Sequence, residues 1–250
     1  MDNYLELKAI ALKYQTKNGE TEALKNISFS IKKQEFISIV GPSGCGKTTI
    51  LSLIAKLFEP TSGEILLEGK KLEKGVGTIG YMFQRDHLFE WRTIYNNVML
   101  GLELFKKHKN KENIDRIENL LKKYGLYEFK DKYPSQLSGG MRQRAALIRT
   151  LAMQPKLLLL DEPFSALDYQ TKLRVCDDVR AIITNEKQTA ISVTHDISEA
   201  ISMSDRIIIL TERPAIVKDI IEINIPGNSP LEKREKKEFS GYFDRIWKEL

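Results

Sequence analysis

The sequence predicts an α/β protein with a mostly parallel sheet core, an antiparallel β patch near its N-terminus and an inserted α-helical subdomain. Three observations carry that prediction. Near-continuous apolar runs at Phe36 to Val40, Leu157 to Leu160, Thr189 to Val193 and Ile207 to Leu210 have the pattern of strands covered on both faces. Stripes at helical spacing stand between them: Ile50, Leu53, Ile54, Leu57 and Phe58, then Leu173, Cys176, Val179, Ile182 and Ile183. Ahead of Phe36 the period drops to two, with Ile27, Phe29 and Ile31 separated by Ser28 and Ser30. Strands that alternate with helices imply parallel pairing through right-handed crossovers.

Taken in order, Tyr4 to Tyr14 reads as the hairpin partner of the Ile27 strand, across a turn at Lys17-Asn18-Gly19-Glu20. From Asp86 to Pro134 no strand pattern occurs. Ile94, Val98, Leu102 and Phe105, then Ile114, Ile117, Leu121 and Tyr124, mark two helices of the inserted subdomain. After a turn at Gly227-Asn228-Ser229-Pro230, the residues Phe239, Phe243, Ile246, Trp247 and Leu250 recur at helical spacing. The organisation is a single domain over 1–250: a core from 1–85 and 141–225, a helical subdomain over 86–140, and an amphipathic extension over 226–250.

Composition excludes several classes. With 250 residues, 42% hydrophobic and 29% charged, the chain has the make-up of a folded globular protein rather than a disordered or collagenous one. The net charge of +5 is spread out apart from Lys106, Lys107, Lys109 and Lys111, so nucleic acid is not an expected partner. No apolar run reaches the roughly 18 residues that cross a bilayer, and Met1-Asp2-Asn3 has no basic, signal-like region; a cytosolic chain is expected. Two cysteines, Cys45 and Cys176, make neither a disulfide framework nor a zinc site.

The segment Gly41-Pro42-Ser43-Gly44-Cys45-Gly46-Lys47-Thr48 satisfies GxxxxGK[ST] between an apolar strand and a helix. Its glycines let backbone N–H groups converge on phosphate oxygens, and the helix start adds positive potential. Lys47 suits the β- and γ-phosphates, and Thr48 offers a hydroxyl to Mg²⁺. Nucleotide binding on a P-loop NTPase core is the expectation. Cys45 reads as a small loop residue that an alkylating reagent can still reach.

Four leucines run into Asp161-Glu162-Pro163. A buried strand that ends in two acids delivers them to the crevice where open α/β sheets bind ligands. Asp161 suits the magnesium shell; Glu162 suits a general base toward water. A second anion receptor lies at Leu137-Ser138-Gly139-Gly140-Met141, where Ser138 caps a helix and the glycines leave its first amides bare. It serves either the same phosphates or a nucleotide held by another copy.

Together these segments resemble the ATP-binding cassette family of transporter ATPases. LSGGM is similar to the family's signature, GPSGCGKTT (Gly41 to Thr49) to its Walker A and LLLLDEP to its Walker B. Gln84 in Tyr81-Met82-Phe83-Gln84 resembles the Q-loop, Ser165-Ala166-Leu167-Asp168 the D-loop, and His195 in Val193-Thr194-His195-Asp196 the switch histidine. Tyr14 holds the place of the aromatic that stacks on adenine. The resemblance implies a RecA-like fold and head-to-tail dimers in which the signature of one copy closes on ATP held by the other. It also implies Mg²⁺ at Thr48, Gln84 and Asp161, with Glu162 polarising water and His195 touching the γ-phosphate.

The resemblance further implies transmembrane permease partners, served indirectly by an extracytoplasmic solute-binding protein, and a peripheral place on the cytoplasmic face of the membrane. The docking groove would fall near Arg85 to Val98, where Leu88, Phe89, Trp91, Ile94 and Tyr95 give an apolar density that also suits a small helical core. The runs from Phe83 to Ile94 and from Glu212-Arg213-Pro214 to Ile225 are most similar to importer ATPases of the nitrate, sulfonate, taurine and bicarbonate group. The competing function is a soluble cassette acting on nucleic acid or ribosomes. Its paired cassettes or long coiled-coil insertions are missing from these 250 residues. A small GTPase would need a guanine-reading NKxD, and Asn110-Lys111-Glu112-Asn113 lacks the final acid.

Overall fold

A computed structural model describes residues 3–16, 19–73, 75 and 78–250. The period-two segment forms β1 (Leu5–Thr16) and β2 (Gly19–Ile31), antiparallel, with Leu5 opposite Ile31, Leu7 opposite Phe29 and Ile10 opposite Ile27. Lys17 and Asn18 of the predicted turn lie outside the described residues. The chain continues through β3 (Phe36–Val40), α1 (Lys47–Ile54), β4 (Ser62–Leu67), β5 (Lys70–Lys71) and β6 (Ile79–Met82). Strands β4 and β5 extend the N-terminal pair to a four-stranded sheet of order β2-β1-β4-β5, so the antiparallel patch is larger than a hairpin.

The predicted helical stretch holds α2 (Ile94–Leu104) and α3 (Lys111–Lys123), followed by α4 (Gly139–Leu151). Then come β7 (Leu157–Asp161), α5 (Tyr169–Asn185), β8 (Thr189–Val193), α6 (Ile197–Met203), β9 (Arg206–Leu210), β10 (Val217–Glu222), α7 (Pro230–Arg234) and α8 (Lys237–Glu249). The central sheet has order β10-β9-β3-β8-β7-β6. Its pairs are parallel except β10 with β9.

All five residues of β3, β7 and β8 are buried, as continuous apolar strands require. Their alternation divides the core. Ile37, Ile39, Leu157 and Leu159 pack with α1 and the antiparallel sheet. Leu158 and Leu160 face the opposite layer with α4 and α5, and Ile94, Val98, Ile117 and Leu121 of the inserted helices join that same cluster. The insertion therefore has no separate core. A third cluster packs α6 and Ile246 of α8 against Ile207, Ile209 and Ile221.

One expectation about apolar stripes is corrected, and another is divided. Helix α1 ends at Ile54, so Leu57 and Phe58 lie beyond the buried stripe and point outward, 57% and 49% exposed. Within the expected docking segment, Leu88 and Ile94 are core residues at 6% and 0% exposure, while Trp91 is 74% exposed.

Candidate functional site

Strand β3 leaves the sheet at Val40 and the chain turns through Gly41 to Gly46 into α1. Gly46, the residue before the helix, has φ +126°, and a Cβ there would stand 2.8 Å from Leu24 Cδ2. Only glycine fits. No side chain caps α1, unlike α2, α3, α4, α5 and α6, each of which begins on a capping oxygen. Its first amides are left for an anion. Lys47 is buried and donates to the Gly41 and Pro42 carbonyls at 2.7 and 2.9 Å. An arriving phosphate has to compete for that ammonium.

Opposite the loop, the end of β7 carries the carboxylate pair. Asp161 is 9% exposed and accepts from Thr48 Oγ1 at 3.0 Å and from Tyr81 Oη at 2.9 Å. Burial raises its carboxyl above the ordinary range, and the two hydroxyls and Lys47 partly offset that rise. Glu162 turns the other way: Gln84 Nε2 donates to its Oε2 at 3.2 Å, and His195 Nδ1 lies 3.2 Å from its Oε1. Glu162 sits at φ +46°, the left-handed region that a side chain of this type seldom occupies. Backbone of this kind recurs where a side chain must be aimed.

These groups surround one cavity of about 530 Å³. Its walls bring together Ser43, Gly44, Gly46, Lys47, Thr48 and Thr49 of the loop with Glu162 and His195. The Ser138 segment is elsewhere. Ser138 Oγ accepts from Met141 N at 3.3 Å, capping α4 as its sequence predicts, and Gly139 lines a separate cleft of about 470 Å³ with Arg85, Arg142 and Leu167. Gly140 has a packing role as well, since a Cβ there would meet Val175 Cγ2 at 2.7 Å. The loop before α1 and the start of α4 thus do not share a cavity.

A family model described as ABC transporter matches residues 24–165. The chain is 44% identical over 250 residues to the uncharacterized ABC transporter ATP-binding protein YtlC of Bacillus subtilis, covering 99% of this chain and 96% of that one. The chain belongs to the ABC transporter ATP-binding family.

Relatives with a named cargo include the nitrate import ATP-binding protein NrtD of a Synechocystis species, 39% identical over 97% of this chain and 93% of its own. The aliphatic sulfonates import ATP-binding protein SsuB of Bacillus cereus is 40% identical over 86% and 84%. Among solved structures, a dimeric post-hydrolysis state of the cassette MJ0796 bound to ADP and Pi matches with TM-score 0.72 and 33% identity, over 88% of this chain and 99% of that one. The chain is an ATPase of the cassette type, with the predicted P-loop α/β fold.

The cassette's remaining predicted residues distribute as follows. Tyr14 is half-buried on β1 with its hydroxyl 3.4 Å from Thr49 Oγ1; it flanks the cavity without lining it. Asp168 caps α5, accepting from Thr171 N at 3.0 Å, and that bond holds its carboxyl below the usual range. It does not line the cavity. Cys45 is 2% exposed and burial pushes its thiol pKa up, both of which work against the expected alkylation in the folded cassette.

Behind His195, Asp196 accepts from Glu199 N at 3.0 Å, half of a D-x-x-E capping box. The other half is absent, because the Glu199 carboxylate is buried and pairs with Lys172 at 2.8 Å, as Asp196 does at 2.7 Å. Sequence reasoning missed two site residues. Arg213, after β9, lines the phosphate cavity, and Tyr81 holds Asp161. Both lie inside segments already singled out for family resemblance, yet neither has a spacing that declares its role.

Proposed function

We propose that this cassette is the energy-coupling subunit of an importer, hydrolysing ATP to ADP and phosphate on paired copies to drive uptake through a membrane permease. The observation that carries the catalytic part is Glu162, held between Gln84 and His195 at the mouth of the Lys47 cavity. A carboxylate there takes a proton from water as its oxygen attacks the γ-phosphorus, and ADP leaves with the β–γ bridging oxygen. General-base assistance of this kind contributes about 10²- to 10⁴-fold. Lys47 and the loop amides from Gly41 to Thr49 stabilise the charge gathering on the phosphoryl oxygens. His195 reaches the same group, and Tyr14 stacks on adenine.

The donor set at Thr48, Asp161 and Gln84 fits Mg²⁺, a cation that takes hydroxyl, carboxylate and amide oxygens beside phosphates and water. Among the described residues no cluster of three or more His, Cys, Asp or Glu competes for it as a soft-metal site. Bound there, Mg²⁺ would neutralise phosphate charge. Thr48 can donate its proton to Asp161 while turning a lone pair toward the ion.

Paired copies account for the two separate clefts. Gly139 lines a cleft that the chain's own Lys47 does not enter, so a head-to-tail second copy would bring a phosphate to the segment Ser138, Gly139 and Gly140, with Asp168 in the same interface. The dimeric MJ0796 relative supports this reading. For the permease, Leu57, Phe83, Tyr81 and Ile79 line an outward groove of about 420 Å³, with Leu57 and Phe83 57% and 47% exposed. Exposed apolar side chains of this kind suit a partner helix.

No described helix is long and apolar enough to cross a membrane; the proposed peripheral place on the cytoplasmic face rests on the similarity to import ATP-binding proteins. Similarity to nitrate and sulfonate import subunits supports a small anion or organic sulfonate as cargo, delivered to the permease by a solute-binding protein. Co-purification tests the assignment. Recovery with a hydrophobic membrane subunit, and ATPase stimulated by a loaded solute-binding protein in vesicles, is expected; membrane-free association with ribosomes or DNA refutes it.

A further inference from the structure

We infer that Tyr81 is a positioning residue for the magnesium site, a role that rests on the reading of Thr48 and Asp161 given above. Strand β6 lies beside β7 in parallel register, with Tyr81 opposite Leu159, two residues before Asp161. From there the Tyr81 hydroxyl reaches forward and donates to Asp161 Oδ2 at 2.9 Å. Thr48 occupies Oδ1 at 3.0 Å. Both carboxylate oxygens are thus fixed by hydroxyls, one from the helix that follows the phosphate loop and one from the neighbouring strand. A carboxylate held at both oxygens cannot rotate about its Cβ–Cγ bond without breaking a charge-assisted hydrogen bond.

The same strand exit secures the second acid, since Gln84 donates to Glu162 three residues after Tyr81. Tyr81 differs in being buried on one side and open on the other. Its hydroxyl meets the magnesium-site acid, while its ring lies tilted against that of Phe83, centroids 4.5 Å apart, and lines the outward groove with Leu57 and Ile79. Partners of this sort, one bond removed from a metal ligand, govern affinity because they hold the ligand in its binding orientation, and their loss typically costs 10- to 100-fold.

Tyr81→Phe removes the hydroxyl and keeps the ring. The test titrates a fluorescent ATP analogue with and without EDTA, then titrates Mn²⁺ into the protein–nucleotide complex by electron paramagnetic resonance. The expected result is unchanged affinity in EDTA and Mn²⁺ binding weakened about 10-fold, the lower end of the range because Thr48 still holds Oδ1. Asp161→Asn is run in parallel. If Asp161→Asn weakens Mn²⁺ binding and Tyr81→Phe does not, the role assigned to Tyr81 is overturned while the magnesium site stands. If neither changes it, the magnesium site itself fails. A fall in melting temperature with intact Mn²⁺ affinity makes Tyr81 merely structural and also overturns the inference.

Discussion

Replacing Glu162 by Gln isolates one proton acceptor with little change of shape. Each carboxylate oxygen now has one protein neighbour, Gln84 Nε2 and His195 Nδ1, both at 3.2 Å. A carboxamide keeps an oxygen toward His195 and turns its NH₂ toward Gln84, whose own amide flips to present oxygen, so both contacts survive. Removing the negative charge also relieves Asp161, whose carboxyl is raised partly by its neighbour. Nucleotide affinity should stay within about threefold, since no phosphate-binding group is altered. Hydrolysis should fall by the general-base factor of about 10²–10⁴, or about 2.7–5.5 kcal/mol of barrier. Single-turnover phosphate release measures it directly. A rate within fivefold of wild type would remove Glu162 from the proton-transfer step and with it the mechanism argued above.

Two glycines predict opposite outcomes for the same substitution. Gly241 lies in α8 with open space around its missing Cβ, so Gly241→Ala should stabilise by about 0.8–1 kcal/mol and raise the melting temperature by roughly 2–4 °C, read by calorimetry. Gly140→Ala gains the same propensity but drives a Cβ to 2.7 Å from Val175; overpacking of about 1–3 kcal/mol should win, and a stabilised variant would contradict the packing described. The thiols predict an alkaline limit. Burial raises the folded pKa of Cys176, so between the unfolded value and the folded one the native state keeps a proton the unfolded chain loses. Its contribution is intact below about pH 8.5 and falls above it, at a slope approaching about 1.4 kcal/mol per pH unit. Urea denaturation at pH 7.5 and 10 should show this slope reduced in Cys176→Ala; equal slopes would refute it.

Much of this architecture was legible because its strands are unusually explicit. Thr189–Val193 matches prediction residue for residue, and Leu157–Leu160 misses only Asp161. A strand buried on both faces has no polar positions to confuse with a helix. Half-solvated faces hid two of the strands that went unread: β4 is Ser-Gly-Glu-Ile-Leu-Leu with its first three residues exposed, and β10 alternates around Lys218 and Glu222. The phosphate loop was legible for a related reason, since its glycines answer to backbone geometry that sequence spacing encodes. Tyr81 and Arg213 answer to neighbours brought in by the sheet, and no local spacing records which strand lies alongside. The segment from Arg85 to Val98 was ambiguous for a third reason, because an apolar residue near a surface looks alike whether it turns in, as Leu88 does, or out, as Trp91 does.

How the two clefts of one chain are linked follows from the arginines of α4. Arg149 donates to the carbonyls of His87 and Asp86 at 2.6 and 2.7 Å, and Arg142 lies 3.2 Å from the Asp86 carboxylate. Hydrogen bonds from a charged donor are worth about 1.5–3 kcal/mol each, so the segment two and three residues after Gln84 is fastened to α4 more firmly than a loop usually is. That helix starts at Gly139, in the second cleft, while Gln84 ends beside Glu162, in the first. A displacement of α4 toward an anion at its N-terminus therefore pulls on the segment that carries Gln84. Lys172 does the corresponding work on the other side, joining α5, which opens at Asp168, to the two acids behind His195. Gln84 and His195, the two groups that hold Glu162, are thus each tied to an element facing away from the chain's own phosphate loop. Under the dimer proposed above, these ties join the groups around Glu162 to the cleft that a second copy would occupy, a connection a subunit needs if its chemistry is to wait for a partner.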